Sequence, residues 1–179
     1  MNDYGNLVGA DAVRFERLLP GPIDRLWAYL TDPDKRSRWF AGGPMELCVG
    51  GQVELVFRNA QFAADDDPPP PKYAAYTVEG RMHGHVVACE PPRLLAYTVS
   101  ESDGEESEVR FELTPRGKDV LLVLTHRRIA TRDALLGFSG GWHAHLCILR
   151  ARLLGEQPAG FWRTHTRLEA EYGRLFPPS

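Results

Sequence analysis

The chain has 179 residues, 43% of them hydrophobic and 25% charged, which suits one globular domain with its own core. Its net charge of −3 gives no general attraction to nucleic acid, and its longest aliphatic run, Val120 to Leu124, is too short to span a membrane. Three widely spaced cysteines without a CxxC pair argue against a disulfide framework or zinc ribbon, and no signal-peptide pattern is present, so we expect a cytoplasmic protein.

The first part of the chain predicts a strand followed by two short helices. Residues 13–19 have strand character, and the proline of Gly21-Pro22 suits the first turn of a helix. Four apolar residues then recur at helical spacing on one face: Ile23, Leu26, Trp27 and Leu30. Asp32, directly before Pro33, predicts the cap of a second short helix, which ends at Trp39 and Phe40.

The middle of the chain alternates apolar and polar residues, the pattern of half-buried strands. Such segments are residues 53–57, residues 73–89, the stretch after Pro91-Pro92, residues 109–113 and residues 119–127. The last is the most apolar, which predicts a central place in the sheet. The acidic and proline-rich residues 65–71 predict an exposed loop. The acidic residues 100–108 predict a hairpin turn.

From about Ser139 the apolar period changes to 3.6 residues, which indicates a helix that Gly155 closes. Its apolar stripe consists of Trp142, Leu146, Leu149 and Leu153. We therefore expect the Trp142 indole to lie against the sheet. A further helical pattern covers residues 161–175. Hairpin-type connections with segregated helices predict an α+β fold rather than a doubly wound one.

Residues 137–141 match Gly-x-Ser-x-Gly, the pattern of a hydrolase nucleophile elbow. An elbow needs a strand before the serine, with acid and histidine partners later in the chain. No aspartate follows Asp133, and an antiparallel sheet does not supply the required context. The simpler interpretation is a glycine-flanked helix start with Ser139 as the N-cap.

One histidine–cysteine pair and one histidine pair have the spacing of metal ligands. His143 and Cys147 lie at i, i+4 on the helix, and His83 and His85 share one side of a strand. The strand pair accompanies polar residues, which indicates the solvent face. Helical geometry places His143 and His145 on opposite flanks of the leucine stripe, as a polar border. We therefore predict no metal and no cofactor. If the His143 ring is exposed on this border, His143→Ala should change stability by roughly 0.5 kcal/mol or less.

Several segments in order resemble the helix-grip superfamily of START and Bet v 1-like domains. They include "RFERLLPGPIDRLWAYLTDPDKRSRWFAGG" (14–43), "GHVVACEPPRLLAYT" (84–98) and "GWHAHLCILRARLLGEQP" (141–158). Within that superfamily the chain is most similar to the group related to the C-terminal domain of the Hsp90 ATPase activator. The resemblance covers residues 12–175 as a single domain. Residues 1–11 and 176–179 are then expected to be flexible termini.

This resemblance implies a curved antiparallel sheet around a long C-terminal helix, with two short helices after the first strand and a cavity between sheet and helix. Residues expected to line the cavity are Trp39, Phe40, Phe57, Tyr97, Phe111, His126, Trp142 and Leu146. The expected ligand is a small hydrophobic or aromatic molecule. The family carries no fixed catalytic constellation to this chain.

Two alternatives remain open from the sequence. A cyclase or hydrolase would use the same cavity, with His126 as the candidate catalytic residue because a buried histidine can have a shifted pKa. A chaperone or other protein partner would bind the basic C-terminal region, since residues 109–179 carry a net charge of +5. We expect no nucleic-acid or membrane partner, and a monomer or homodimer.

Overall fold

A computed structural model describes residues 2–100 and 104–178. Seven antiparallel strands form one open, curved sheet in the order β1-β2-β7-β6-β5-β4-β3. The strands are β1 Asn6–Leu7, β2 Val13–Pro20, β3 Gln52–Phe57, β4 Gly80–Glu90, β5 Leu94–Val99, β6 Ser107–Arg116 and β7 Asp119–Arg127. The helices are α1 Ile23–Thr31, α2 Pro33–Arg36, α3 Arg132–Leu154 and α4 Phe161–Leu175. The predicted α+β helix-grip fold is confirmed.

The N-terminal elements match the sequence pattern because their local signals are strong. Burial alternates residue by residue along β2, and α1 buries Leu26 and Leu30 on one face. The Asp32 carboxylate accepts hydrogen bonds from the backbone amides of Asp34 and Lys35, at 2.9 and 3.1 Å. The predicted cap of α2 is therefore confirmed.

The strand predicted over residues 73–89 is correct only in its second part. Pro71–Tyr76 forms a 3₁₀ helix, and β4 begins at Gly80. The preceding prolines provide no amide hydrogens for a sheet ladder, so the period-2 pattern before Gly80 does not produce a strand. The predicted turn at 100–108 falls partly on residues 101–103, which lie outside the described residues.

The long helix α3 begins at Arg132, not near Ser139. Thr131 is the N-cap, with its hydroxyl accepting from the Ala134 amide at 3.1 Å. Ser139 lies fully buried inside the helix, where its hydroxyl donates to the Leu135 carbonyl at 2.6 Å. This position excludes a nucleophile elbow. Gly155 closes the helix in the left-handed conformation, as predicted.

The glycines of α3 obscured its start because they reduce helix propensity. At Gly140 the two helices α3 and α4 approach closely, since a Cβ there would lie 3.1 Å from the Glu169 amide nitrogen of α4. Glycine suits this contact between helices, although by local propensity it disfavours a helix. Within the described residues, no helix is long and apolar enough to cross a membrane.

The residues before Ala12 and the helix α4 cover the outer side of α3. Asn6–Leu7 pairs with β2 although the boundary drawn from the sequence leaves it outside the domain. The Gly5 amide donates to the Tyr172 hydroxyl at 2.8 Å, and the Tyr4 hydroxyl donates to Glu171. These contacts tie the N-terminal residues to α4.

The proline-rich loop supplies the N-cap of α4. The Asp66 carboxylate accepts from the backbone amides of Trp162 and Arg163, at 2.9 and 3.0 Å. The first residue before the helix is Gly160, and a side chain there would collide with Asp66. A carboxylate distant in the sequence therefore satisfies amides that helix ends leave unpaired.

Asp66→Ala should lower the free energy of unfolding by about 1 kcal/mol, because it removes this cap. The matched control is Asp65→Ala, whose side chain is 96% exposed and meets Arg163 only at 3.5 Å. That variant should change stability by less than about 0.5 kcal/mol. Denaturant melts measure both values, and equal effects would show that the cap has no role in stability.

Candidate functional site

A hollow of about 480 Å³ lies between the sheet, α3, α4 and residues 59–76, which we call the strap. Its wall is mostly apolar, and it is partly open to solvent. Side chains from the concave face of the sheet form its floor, among them Leu55, Val99 and Val109. The hollow exists because α4 and the strap, rather than α3 alone, complete the enclosure.

Four of the eight residues expected to line a cavity do line this hollow: Phe40, Phe57, His126 and Trp142. The rings of Phe40 and Trp142 stack with centroids 4.7 Å apart, and Phe57 meets Phe40 edge to face at 5.0 Å. Trp142 is 4% exposed and also meets Phe111 of β6 at 5.7 Å. The expected contact between its indole and the sheet is confirmed.

The other four residues lie in the core outside the wall of the hollow: Trp39, Tyr97, Phe111 and Leu146. The Trp39 indole donates to the Tyr29 carbonyl at 2.8 Å, which fixes it under α1. Phe111 lies between Tyr97 and Trp142. Strand parity identifies the side a residue faces, but not whether another side chain separates it from the hollow.

The sequence pattern did not indicate the aromatic residues that the strap, Phe138 and α4 contribute to the hollow, which together we call its outer wall. Tyr73 and Tyr76 come from the strap, Phe138 from α3, and Phe161 and Trp162 from the first turn of α4. The sequence feature that could have identified Tyr73 and Tyr76 is the long insertion after β3, because loops of this kind often carry binding residues. The periodicity of α4 identified a packing helix but not its contact with a hollow.

His126 is buried and hydrogen-bonded through both ring nitrogens. Its Nδ1 lies 3.0 Å from the Trp142 indole nitrogen, and its Nε2 lies 2.7 Å from the Ser107 hydroxyl. An indole nitrogen only donates, so Nδ1 accepts and the hydrogen of the neutral ring is on Nε2. Nε2 therefore donates to Ser107 and cannot act as a base that removes the serine proton.

Counting only partners among residues 2–100 and 104–178, three buried polar atoms in residues of the wall have no hydrogen bond: Asn59 Oδ1, Trp162 Nε1 and His165 Nδ1. The His165 Nε2–H donates to the Gly137 carbonyl at 3.1 Å, which leaves Nδ1 as an acceptor. An unpaired buried polar atom costs about 1–3 kcal/mol. All three atoms have almost no solvent-accessible surface, so they lie behind the surface of the hollow.

His143 and His145 do not form an exposed border. They are 6% and 4% exposed, because α4 and the N-terminal residues cover the flanks of α3. The His143 Nδ1 lies 2.9 Å from the Tyr172 hydroxyl, and the His145 Nδ1–H donates to the Trp39 carbonyl at 2.8 Å. The small stability effect expected for His143→Ala assumed an exposed ring and no longer holds. The described residues contain no cluster of metal ligands.

An ionic cluster joins the strap to both helices at the edge of the hollow. The Lys72 ammonium contacts Asp133 at 2.8 Å and Glu169 at 2.7 Å, and the Tyr73 hydroxyl donates to Glu169 at 2.8 Å. Burial and then the bond to Glu169 raise the pKa of Tyr73. Burial alone would lower the pKa of Lys72, but the two carboxylates outweigh it and raise that pKa. The cluster keeps Tyr73 against the hollow.

Comparisons with known proteins support a common fold and one family. A model of the family described as activator of Hsp90 ATPase homolog 1-like protein matches residues 20–153. No curated protein matches the sequence significantly.

Solved structures resemble the whole chain. The protein encoded by gene BPP1335 of Bordetella parapertussis is 43% identical, with 99% of this chain and 92% of that one covered and a TM-score of 0.81. A Rhodobacter sphaeroides protein is 25% identical over 84% of this chain and 97% of its own, with a TM-score of 0.61. CalU16 of Micromonospora echinospora is 23% identical, covers 92% and 87%, and has a TM-score of 0.68, which shows a shared fold.

The buried histidines should make the protein acid-sensitive. Burial lowers the pKa of His126 and of His145 to about 3, and that of His143 to about 4. Between pH 6.5 and these values the unfolded state binds more protons than the folded state, so stability falls as pH falls. Each histidine contributes about 1.4 kcal/mol per pH unit, which gives a loss of roughly 3–4 kcal/mol from pH 6 to pH 5.

Denaturant melts at several pH values measure this slope. His143→Gln should reduce it by about a quarter to a third, because it removes one of the buried histidines and burial also lowers the pKa of His165. A free energy of unfolding that stays constant from pH 7 to pH 5 would contradict the neutral state of the buried rings.

Proposed function

The chain belongs to the family of activator of Hsp90 ATPase homolog 1-like proteins, and we propose that it binds a small, largely aromatic molecule in the hollow between its sheet, α3, α4 and the strap. The observation that carries this proposal is the composition of the wall. It places aromatic rings from β3, the strap, α3 and α4 around a space that the side chains leave empty. A packed core fills such a space with its own side chains, whereas an apolar hollow of this kind is the usual place for a small-molecule ligand.

The dimensions and surfaces of the hollow support an aromatic ligand. Its volume of about 480 Å³ lies within the range of about 300–1,000 Å³ that is usual for small-molecule sites. Phe40 and Trp142 stack on each other, and Tyr73 and Trp162 lie 5.8 Å apart in a tilted arrangement. A flat aromatic ligand in the hollow would gain contact area and favourable ring geometry against such side chains.

The proposal is binding rather than catalysis because of the state of His126. The candidate base of the enzyme alternative already accepts a hydrogen bond at Nδ1, and its Nε2 carries a proton. Burial lowers its pKa to about 3, so the ring is neutral near pH 7. Among the described residues no carboxylate bonds to this ring, and such a partner is what a general base normally needs for orientation.

Binding is tested by titrating the protein with fatty acids, flavonoids and aromatic polyketides. Trp142 and Trp162 line the hollow, so their fluorescence reports an occupant directly, and calorimetry gives the affinity. We expect aromatic molecules to bind at micromolar concentrations and fatty acids more weakly. If none binds more tightly than millimolar, the proposal fails, and capture of Hsp90 by the protein would then favour the chaperone alternative.

Gly141→Leu should weaken this binding strongly without unfolding the protein. Gly141 lines the hollow from α3, and a Cβ there would meet only the His165 ring, at 3.8 Å and beyond. A leucine side chain would therefore extend into the hollow, and the helix would gain propensity. We expect affinity for aromatic ligands to fall by at least about tenfold, since the lost volume removes ring contacts.

The matched control is Gly173→Leu in α4. Gly173 is also helical, lies outside the wall of the hollow, and a Cβ there would meet only Leu136, at 4.0 Å. It tests the same gain in propensity without occupying the site. Unchanged affinity in Gly141→Leu, with a preserved fold, would show that ligands bind elsewhere.

A further inference from the structure

We propose that the Ser107 hydroxyl donates a hydrogen bond to an acceptor oxygen, of the carbonyl type, on the molecule that occupies the hollow. This inference rests on the proposed function and deepens it by naming a chemical feature of the ligand. Ser107 is the first residue of β6, is 6% exposed, and lies in the wall of the hollow beside His126.

The direction of the hydrogen bonds determines what Ser107 can offer. The Trp142 indole N–H donates to His126 Nδ1 over 3.0 Å, and His126 Nε2 then donates to Ser107 Oγ over 2.7 Å. The reverse order would place a hydrogen on Nδ1 against the indole N–H, two donors 3.0 Å apart. Only the first order is physically acceptable. The serine oxygen therefore accepts, and its own hydrogen points away from His126.

No other described residue accepts the hydrogen of the Ser107 hydroxyl. Its side chain bonds to His126, and its backbone pairs with Val99 in the sheet. Phe138 lies against the imidazole with ring centroids 4.4 Å apart, which keeps His126 from turning away. A polarised donor is thus held in an apolar wall, where a hydrogen bond is stronger than in water.

This arrangement discriminates between oxygen types. A carbonyl oxygen accepts from Ser107 and has no hydrogen of its own to satisfy. An alcohol at the same place would also need an acceptor, but both nitrogens of His126 are already engaged. A hydrocarbon would leave the serine hydrogen unpaired, at a penalty of the kind known for buried polar groups. The preferred ligand is therefore an aromatic ketone, quinone or similar carbonyl compound.

The experiment compares two rigid tricyclic probes, 9-fluorenone and fluorene, which differ at one position by a carbonyl in place of a methylene. Their dissociation constants are measured for the wild-type protein and for Ser107→Ala. We expect Ser107→Ala to weaken fluorenone binding by about three- to tenfold, the effect of one hydrogen bond. Fluorene should change by less than about twofold. The carbonyl stretching band of bound fluorenone should lie at lower frequency in the wild type than in Ser107→Ala.

Trp142→Phe tests the role of the indole as the group that sets the direction. Without its N–H, His126 can carry its hydrogen on Nδ1 and accept from Ser107, which withdraws the donor from the ligand. The ratio of fluorenone to fluorene affinity should then fall toward that of Ser107→Ala, although Ser107 is still present. Circular dichroism and thermal melts confirm that both variants remain folded.

The outcomes separate this proposal from the one it rests on. If both probes bind and Ser107→Ala weakens them equally, or weakens neither, the donor role is wrong while binding in the hollow stands. If neither probe binds the wild type, binding of aromatic molecules is contradicted, and the donor role with it.

Discussion

The inner wall of the hollow is formed by Phe40, His126 and Trp142. It depends on the hydrogen bond from the Trp142 indole to His126. This bond joins the middle of α3 to the end of β7 inside the core, where an unpaired donor would cost about 1–3 kcal/mol. The indole also stacks on Phe40 and meets Phe111, so its position fixes three elements relative to one another. Because an indole cannot accept, the same bond sets the tautomer of His126 and the role of Ser107.

In the outer wall, charged and polar side chains keep the aromatic side chains in place. Asp66 caps α4, and Lys72 bridges Asp133 and Glu169, so the strap is attached to both helices by groups near the surface. Such contacts are individually weak and are screened by salt. Core packing thus fixes the inner wall, whereas the position of the outer wall depends on several weaker interactions near the surface.

The sequence predicted the elements whose signals are local. The alternation in β2, the cap at Asp32 and the glycine stop of α3 need only neighbouring residues, and all three are confirmed. The start of α3 was misplaced because its glycines serve contact with α4, which no local pattern contains. The residues of the candidate site fall into the same two groups, those with local signals and those placed by distant contacts. Phe57 and Trp142 followed from strand and helix faces, but Tyr73 and Trp162 depend on where the strap folds back.

The buried histidines show how one set of residues can serve both stability and recognition. His126, His143 and His145 are neutral because burial disfavours their charged forms, so each ring has one donor and one acceptor nitrogen. In each case an aromatic side chain or backbone group engages a ring nitrogen and orients the ring. His165 differs, since within the described residues its Nδ1 has no hydrogen-bond partner and lies 4.0 Å from the Glu169 carboxylate. A ligand that fills the hollow beside this ring would stabilise the folded state by mass action.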